Sequence, residues 1–166
     1  SGLVFMEAII KRGVIPIHAS ALSHQGEVIL FSAPSGTGKS THASLWETHI
    51  KDTKIINDDK PLITIKDDRF YITSAPFSGK RKVNYNESHP LKAIVFLSQG
   101  TPKLHTLSIK DKLDHMLKNI LRPSDDKSWH HTASLLHTLI ERVPIYHLEA
   151  DMTKDTLTLI YHTLYK

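Results

Sequence analysis

The residues Ala33-Pro34-Ser35-Gly36-Thr37-Gly38-Lys39-Ser40-Thr41 stand between an apolar run, Glu27 to Phe31, and a helix-compatible stretch. A loop of this composition between a strand and a helix is equipped to hold phosphate. Gly36 and Gly38 permit backbone conformations closed to residues with a Cβ, so successive N–H groups can turn inward around an anion. Lys39 supplies a point charge for β- and γ-phosphates and Ser40 a hydroxyl for Mg²⁺, while the helix that begins there aims its positive dipole end at the same place. Ser35, Thr37 and Thr41 complete the polar stretch. The full pattern G-x-x-x-x-G-K-[ST] opens on glycine, whereas Ala33 holds that position here; alanine fits if its φ is negative. An ordinary polar turn is the competing reading.

Downstream, the apolar pair Ile55-Ile56 runs into Asn57-Asp58-Asp59. Adjacent carboxylates repel, and a cation, a proton or solvent must separate their demands. In a Mg-nucleotide site one carboxylate can hold the metal while the other accepts a proton from an attacking hydroxyl. A solvated Asn-Asp-Asp turn is the alternative.

Together the loop and the doublet resemble the HPr kinase/phosphorylase family and, more distantly, ATP-dependent phosphoenolpyruvate carboxykinase. The segments that carry the resemblance are Ser35-Gly36-Thr37-Gly38-Lys39-Ser40, Asp58-Asp59, and Ile15-Pro16-Ile17-His18-Ala19-Ser20 ahead of the loop. The resemblance spans roughly residues 14 to 100 and implies a catalytic role for His18, for Lys39 and for Asp59 as base, with Ser40 and Asp58 on the metal, the roles of the two aspartates being open to exchange. It also implies ATP and Mg²⁺ as cofactors. The Glu-x-Arg-Gly segment of HPr kinases has no counterpart, which weakens the case for HPr as substrate. In its place stands Ser74-Ala75-Pro76-Phe77-Ser78-Gly79-Lys80-Arg81-Lys82, similar to stand-alone HPr-kinase-like proteins such as lasso-peptide kinases, which phosphorylate a peptide serine. Lys80 and Arg81 are candidates for clamping phosphate charge or steering an acidic substrate, or else they belong to a solvated hairpin end.

Composition bounds the other classes. With 166 residues and 40% hydrophobic content, the chain is expected to fold as a single domain over residues 1–166. Ser1-Gly2 reads as a leftover of cloning. A net charge of +4, scattered apart from Lys80-Arg81-Lys82, suits anionic nucleotides but falls short of a nucleic-acid footprint. The absence of cysteine excludes disulfides and thiolate chemistry and is compatible with the cytoplasm. No apolar run reaches membrane-spanning length, so neither a membrane nor nucleic acid is an expected partner. His130, His131 and His137 share no spacing with a carboxylate or cysteine that suggests a metal site.

The elements that must position these groups follow from periodicity. Residues 3–13 read as a short helix, and 14–18, 19–23 and 27–31 as strands, the last two joined around His24-Gln25-Gly26. A helix over about 41–49 precedes strands at 54–56, 62–66 and 69–73, with a turn signal at Asp67-Asp68. Further strands are expected at 93–97 and 103–109. Helical spacing then covers 109–120 and 128–141, followed by a strand at 144–148 and a helix over 154–165. These elements predict an α/β or mixed α+β domain of the phosphate-loop type, a mixed sheet with flanking helices. The combined expectation is an ATP-dependent phosphotransferase acting on a hydroxyl, most plainly a serine of a peptide or protein. A small-molecule kinase, a phosphorylase running in reverse and a nucleotide-sensing module are the alternatives, and an oligomer is allowed.

Overall fold

The computed structural model describes residues 13–34, 38–73 and 88–166. Its strands are β1 (Ile15–Pro16), β2 (Ser20–His24), β3 (Glu27–Ser32), β4 (Thr53–Asn57), β5 (Leu62–Lys66), β6 (Arg69–Thr73), β7 (Ser88–Gln99), β8 (Lys103–Thr106) and β9 (Ile145–Ala150). The helices are α1 (Lys39–His49), α2 (Ile109–Asn119), α3 (Asp126–Arg142) and α4 (Lys154–Tyr165).

All these strands join one mixed sheet, in which β3, β7 and β9 run parallel at the centre. On one flank β2 and β4 follow β3, and on the other β8 follows β9. The first residues of β7 pair instead with β6, which leads to β5 and β1. Strand alternation sorts the core into two layers. Val28, Leu30, Ile94 and Phe96 pack with Met116 of α2 and with Leu136, Leu139 and Ile140 of α3. Ile29, Phe31, Ala93, Val95 and Leu97 pack with Trp46 of α1 and with Leu157, Ile160 and Leu164 of α4. Each sheet face thus buries a helix pair, the three-layer solution that a mixed α/β pattern predicts.

Two hairpins close as the sequence predicts. His24 pairs with Glu27 across Gln25-Gly26, and Lys66 with Arg69 across Asp67-Asp68, with positive φ at all four turn residues. That is the backbone a two-residue turn needs to match strand twist.

Some expectations are corrected. The predicted strand over 14–18 shrinks to Ile15–Pro16: Ile17 forms only an isolated bridge with Ile120, while His18 and Ala19 lie in the connection to β2. The strand foreseen at 93–97 extends from Ser88 to Gln99, because Pro90 sits where β7 changes partners. The predicted strand over 103–109 ends at Thr106, and Ser108 caps α2 by accepting from the Asp111 N–H at 3.1 Å. The helix predicted over 3–13 falls almost entirely outside the described residues.

Candidate functional site

Antiparallel pairing assembles the site. β2 lies between β3 and β4 and runs against both, so Ser20 faces Phe31 and Ala21 faces Asn57. The start of β2 therefore meets the exit from β3, the start of α1 and the Asp58-Asp59 turn that leaves β4. Between Ala21 and Leu22 the β2–β4 register shifts, Ile55 standing opposite Leu22 and Asn57 opposite Ala21. The extra residue, Ile56, bulges and redirects β4 as it delivers the carboxylates.

Asp58 is the common acceptor. Ser20 Oγ donates to its Oδ1, and Ser40 Oγ to Oδ1 and Oδ2 at 2.8 and 3.0 Å. Lys39 Nζ donates to the Asp58 backbone carbonyl at 3.0 Å and stands 3.9 Å from Oδ1. With the Asp58 side chain 52% exposed, this ion pair contributes only about 0–1 kcal/mol; its value is positional. Gly38 caps α1 from the left-handed region, φ 88° and ψ 23°, and neither a side-chain cap nor an acidic residue occupies the first turn. The Asp58 carboxylate, bonded to Ser40 in this first turn, is the anion that the described residues bring to the positive end of the α1 dipole. Ala33 is buried and is not among the residues with positive φ, so a glycine is not required at that position.

Beside Asp58, His18 Nδ1 lies 3.8 Å from Asp59 Oδ1, both side chains facing solvent. Their backbones are fixed. His18 N–H donates to Asn119 O at 2.7 Å, and its carbonyl accepts from Ser32 Oγ at 2.6 Å. The Asp59 N–H donates to Asn57 Oδ1 at 2.9 Å, and its carbonyl accepts from the Ala19 N–H at 3.1 Å. Two solvent-facing polar tips thus stand side by side on a backbone pinned by hydrogen bonds.

At the carboxyl ends of the parallel strands, where ligands of such sheets bind, lies a cavity of about 270 Å³ between Gly38, His42, Leu97, Gly100 and Asp151. Burial pushes the His42 imidazole down to about 4, so it is neutral. Its Nε2 accepts from Trp46 Nε1–H at 3.2 Å, which leaves the proton on Nδ1, an atom without a hydrogen-bond partner among the described residues. Asp151 Oδ1 accepts from Thr153 N–H and from the Thr153 and Thr156 hydroxyls, at 2.9, 2.5 and 2.8 Å, and these bonds hold its carboxyl below the usual range.

Of the residues singled out in the sequence, the structure brings His18, Lys39, Ser40, Asp58 and Asp59 together, with Gly38 at the entry to α1. The Thr41 side chain is exposed and does not join them. Ser35, Gly36, Thr37, Lys80 and Arg81 lie outside the described residues. Sequence reasoning missed Ser20 and His42. The first joins the site only through the pairing of β2 with β3 and β4; the second had no signal. His137 does have a carboxylate at helical spacing, Glu141 at 3.1 Å, yet among the described residues no group of three or more His, Cys, Asp or Glu is arranged to hold a metal.

No protein-family model and no curated protein matches the chain. Among solved structures it is similar to the Hpr(Ser) kinase/phosphatase from Coxiella burnetii, with 11% identity and a TM-score of 0.48 over 89% of this chain and 95% of that one. Among the described residues no helix is long and apolar enough to cross a membrane.

Proposed function

We propose that this chain is a Mg²⁺-dependent kinase that transfers the γ-phosphoryl group of ATP to a hydroxyl, the acceptor being a serine of a peptide or protein. The observation that carries this reading is the convergence of Lys39, Ser40 and Ser20 on Asp58, with the His18–Asp59 pair alongside. Ser40 Oγ and the Asp58 carboxylate form a hard-oxygen donor set of the kind Mg²⁺ takes, so the residues present fit the ion. Held there, the ion would neutralise negative charge on the phosphates.

The chain's own residues do the rest. Lys39 and the loop Ser35-Gly36-Thr37-Gly38 hold the phosphates, and the cavity beside His42 takes the base. Asp59 accepts the hydroxyl proton as the acceptor oxygen bonds to the γ-phosphorus and the bond to ADP breaks. His18 orients Asp59 and shares that proton. Lys80 and Arg81 are assigned to phosphate or acceptor from sequence alone, and the cytoplasm is the compartment such an enzyme suits.

The test is transfer from ATP to a serine peptide by wild type and Asp59→Asn. The substitution is expected to lower the rate about 10²–10⁴-fold while ATP affinity is retained. An unchanged rate contradicts the assignment of the base. A nucleotide sensor has no transfer to lose, and a small-molecule kinase labels free hydroxyl compounds but no peptide.

A further inference from the structure

A second cavity, of about 320 Å³, lies between His18, Ala33, Pro34, Lys60, Lys118 and Ile120. The first cavity includes Gly38 from the end of the loop; this one includes Ala33 and Pro34 from its beginning. The two cavities share no lining residue, and an in-line displacement needs separate places for donor and acceptor.

The walls are joined. His18 N–H donates to Asn119 O at 2.7 Å, Leu121 N–H to Pro16 O at 2.9 Å, and Ile17 bridges Ile120. The cavity is therefore preformed, at the lower end of the roughly 300–1,000 Å³ typical of ligand sites. Two cations line it: Lys60, next to Asp59 in sequence, and Lys118 in the last turn of α2. Lys39 is held at Asp58, whereas neither Lys60 nor Lys118 has an ion pair or a side-chain hydrogen bond among the described residues. Two ammonium groups beside an apolar recess favour an anion and repel a basic segment.

We infer that this cavity seats an acidic serine segment: the acceptor carries a carboxylate beside the serine, either an Asp or Glu side chain or the peptide's own terminal carboxylate. This rests on the kinase reading and deepens it by naming the chemistry of the acceptor. Lys60 and Lys118 hold the carboxylate while the serine hydroxyl meets His18 and Asp59. The serine oxygen bonds to the γ-phosphorus, the bond from phosphorus to the β,γ-bridging oxygen breaks, the proton passes to Asp59 and ADP leaves.

The experiment compares kcat/KM for one serine peptide in four forms: neutral flanks with an amidated end, glutamate beside the serine with an amidated end, serine at a free C-terminal carboxylate, and lysine beside the serine. At least one acidic form is expected to exceed the neutral one tenfold or more, and which form does so identifies the source of the carboxylate. In Lys60→Ala/Lys118→Ala the acidic-to-neutral ratio is expected to fall toward one through a rise in KM, and to recover in Lys60→Arg/Lys118→Arg. ATP titration of each variant confirms that it is folded. Equal transfer to neutral and acidic peptides, or a ratio that survives the double alanine substitution, overturns the inference and leaves the kinase reading standing. ATP binding without transfer to any peptide overturns both.

Discussion

Ser40, at the start of α1, and Asp58, in the turn after β4, share a forked hydrogen bond: one hydroxyl donates to both carboxylate oxygens, at 2.8 and 3.0 Å. Under the proposed function these two residues would hold a divalent cation, the hydroxyl and the carboxylate both offering oxygen. Ser20 also donates to Oδ1 and steadies the carboxylate from β2.

Asp58→Asn preserves the shape of this acceptor and removes its charge. The Mg²⁺ concentration needed for half-maximal ATP binding is expected to rise about tenfold or more, equivalent to about 1.4 kcal/mol. Ser40→Ala is expected to act in the same direction and Ser20→Ala more weakly. Equal Mg²⁺ requirements in wild type and Asp58→Asn contradict the metal assignment.

Stability should depend on pH through buried imidazole. His42 is held down to about 4 by burial, below its unfolded value of 6.5. The unfolded chain therefore binds the extra proton first, and stability rises with pH across this window. His42's contribution is complete above about 6.5 and is lost as pH falls toward 4, on the order of 3 kcal/mol in all. His115 and His147 act in the same direction: burial lowers both, then the charge of His147 for the first and of His105 for the second. Urea unfolding between pH 7 and 4.5 checks this. His42→Gln, which retains an acceptor for the Trp46 N–H, should flatten the slope; an unaltered slope contradicts the assignment.

Trp46 ties α1 to the sheet. It is fully buried, its ring lies 5.8 Å from that of Phe31 and 5.7 Å from that of Tyr161, and its N–H is satisfied by His42. Trp46→Ala is expected to cost about 3–5 kcal/mol in denaturant unfolding. Because α1 presents Lys39 and Ser40, ATP affinity should fall with it.

Much of this could be read from local pattern. The alternation in Val28-Ile29-Leu30-Phe31 sorts by face as strand geometry demands, and Asp67-Asp68 turns the chain as aspartates do. That Lys39, Ser40, Asp58 and Asp59 lie together was foreseeable, because the spacing of glycines, lysine and a carboxylate pair carries chemical meaning. Ser20 was not, since its role exists only once β2 is threaded between β3 and β4. His42 looked like one helical residue among others; the burial that makes it neutral comes from Phe31 and Trp46, brought to it by the sheet and by helical spacing. The apolar pattern of α2 misled in part, for Ile109 is 73% exposed and only Met116 of that helix is buried.

The most direct test of the central claim is calorimetric titration of ATP with Mg²⁺ into wild type and Lys39→Ala. The account predicts micromolar, Mg²⁺-dependent binding to wild type that the substitution abolishes. No binding to wild type, or equal affinity in the two proteins, contradicts a nucleotide site at Lys39.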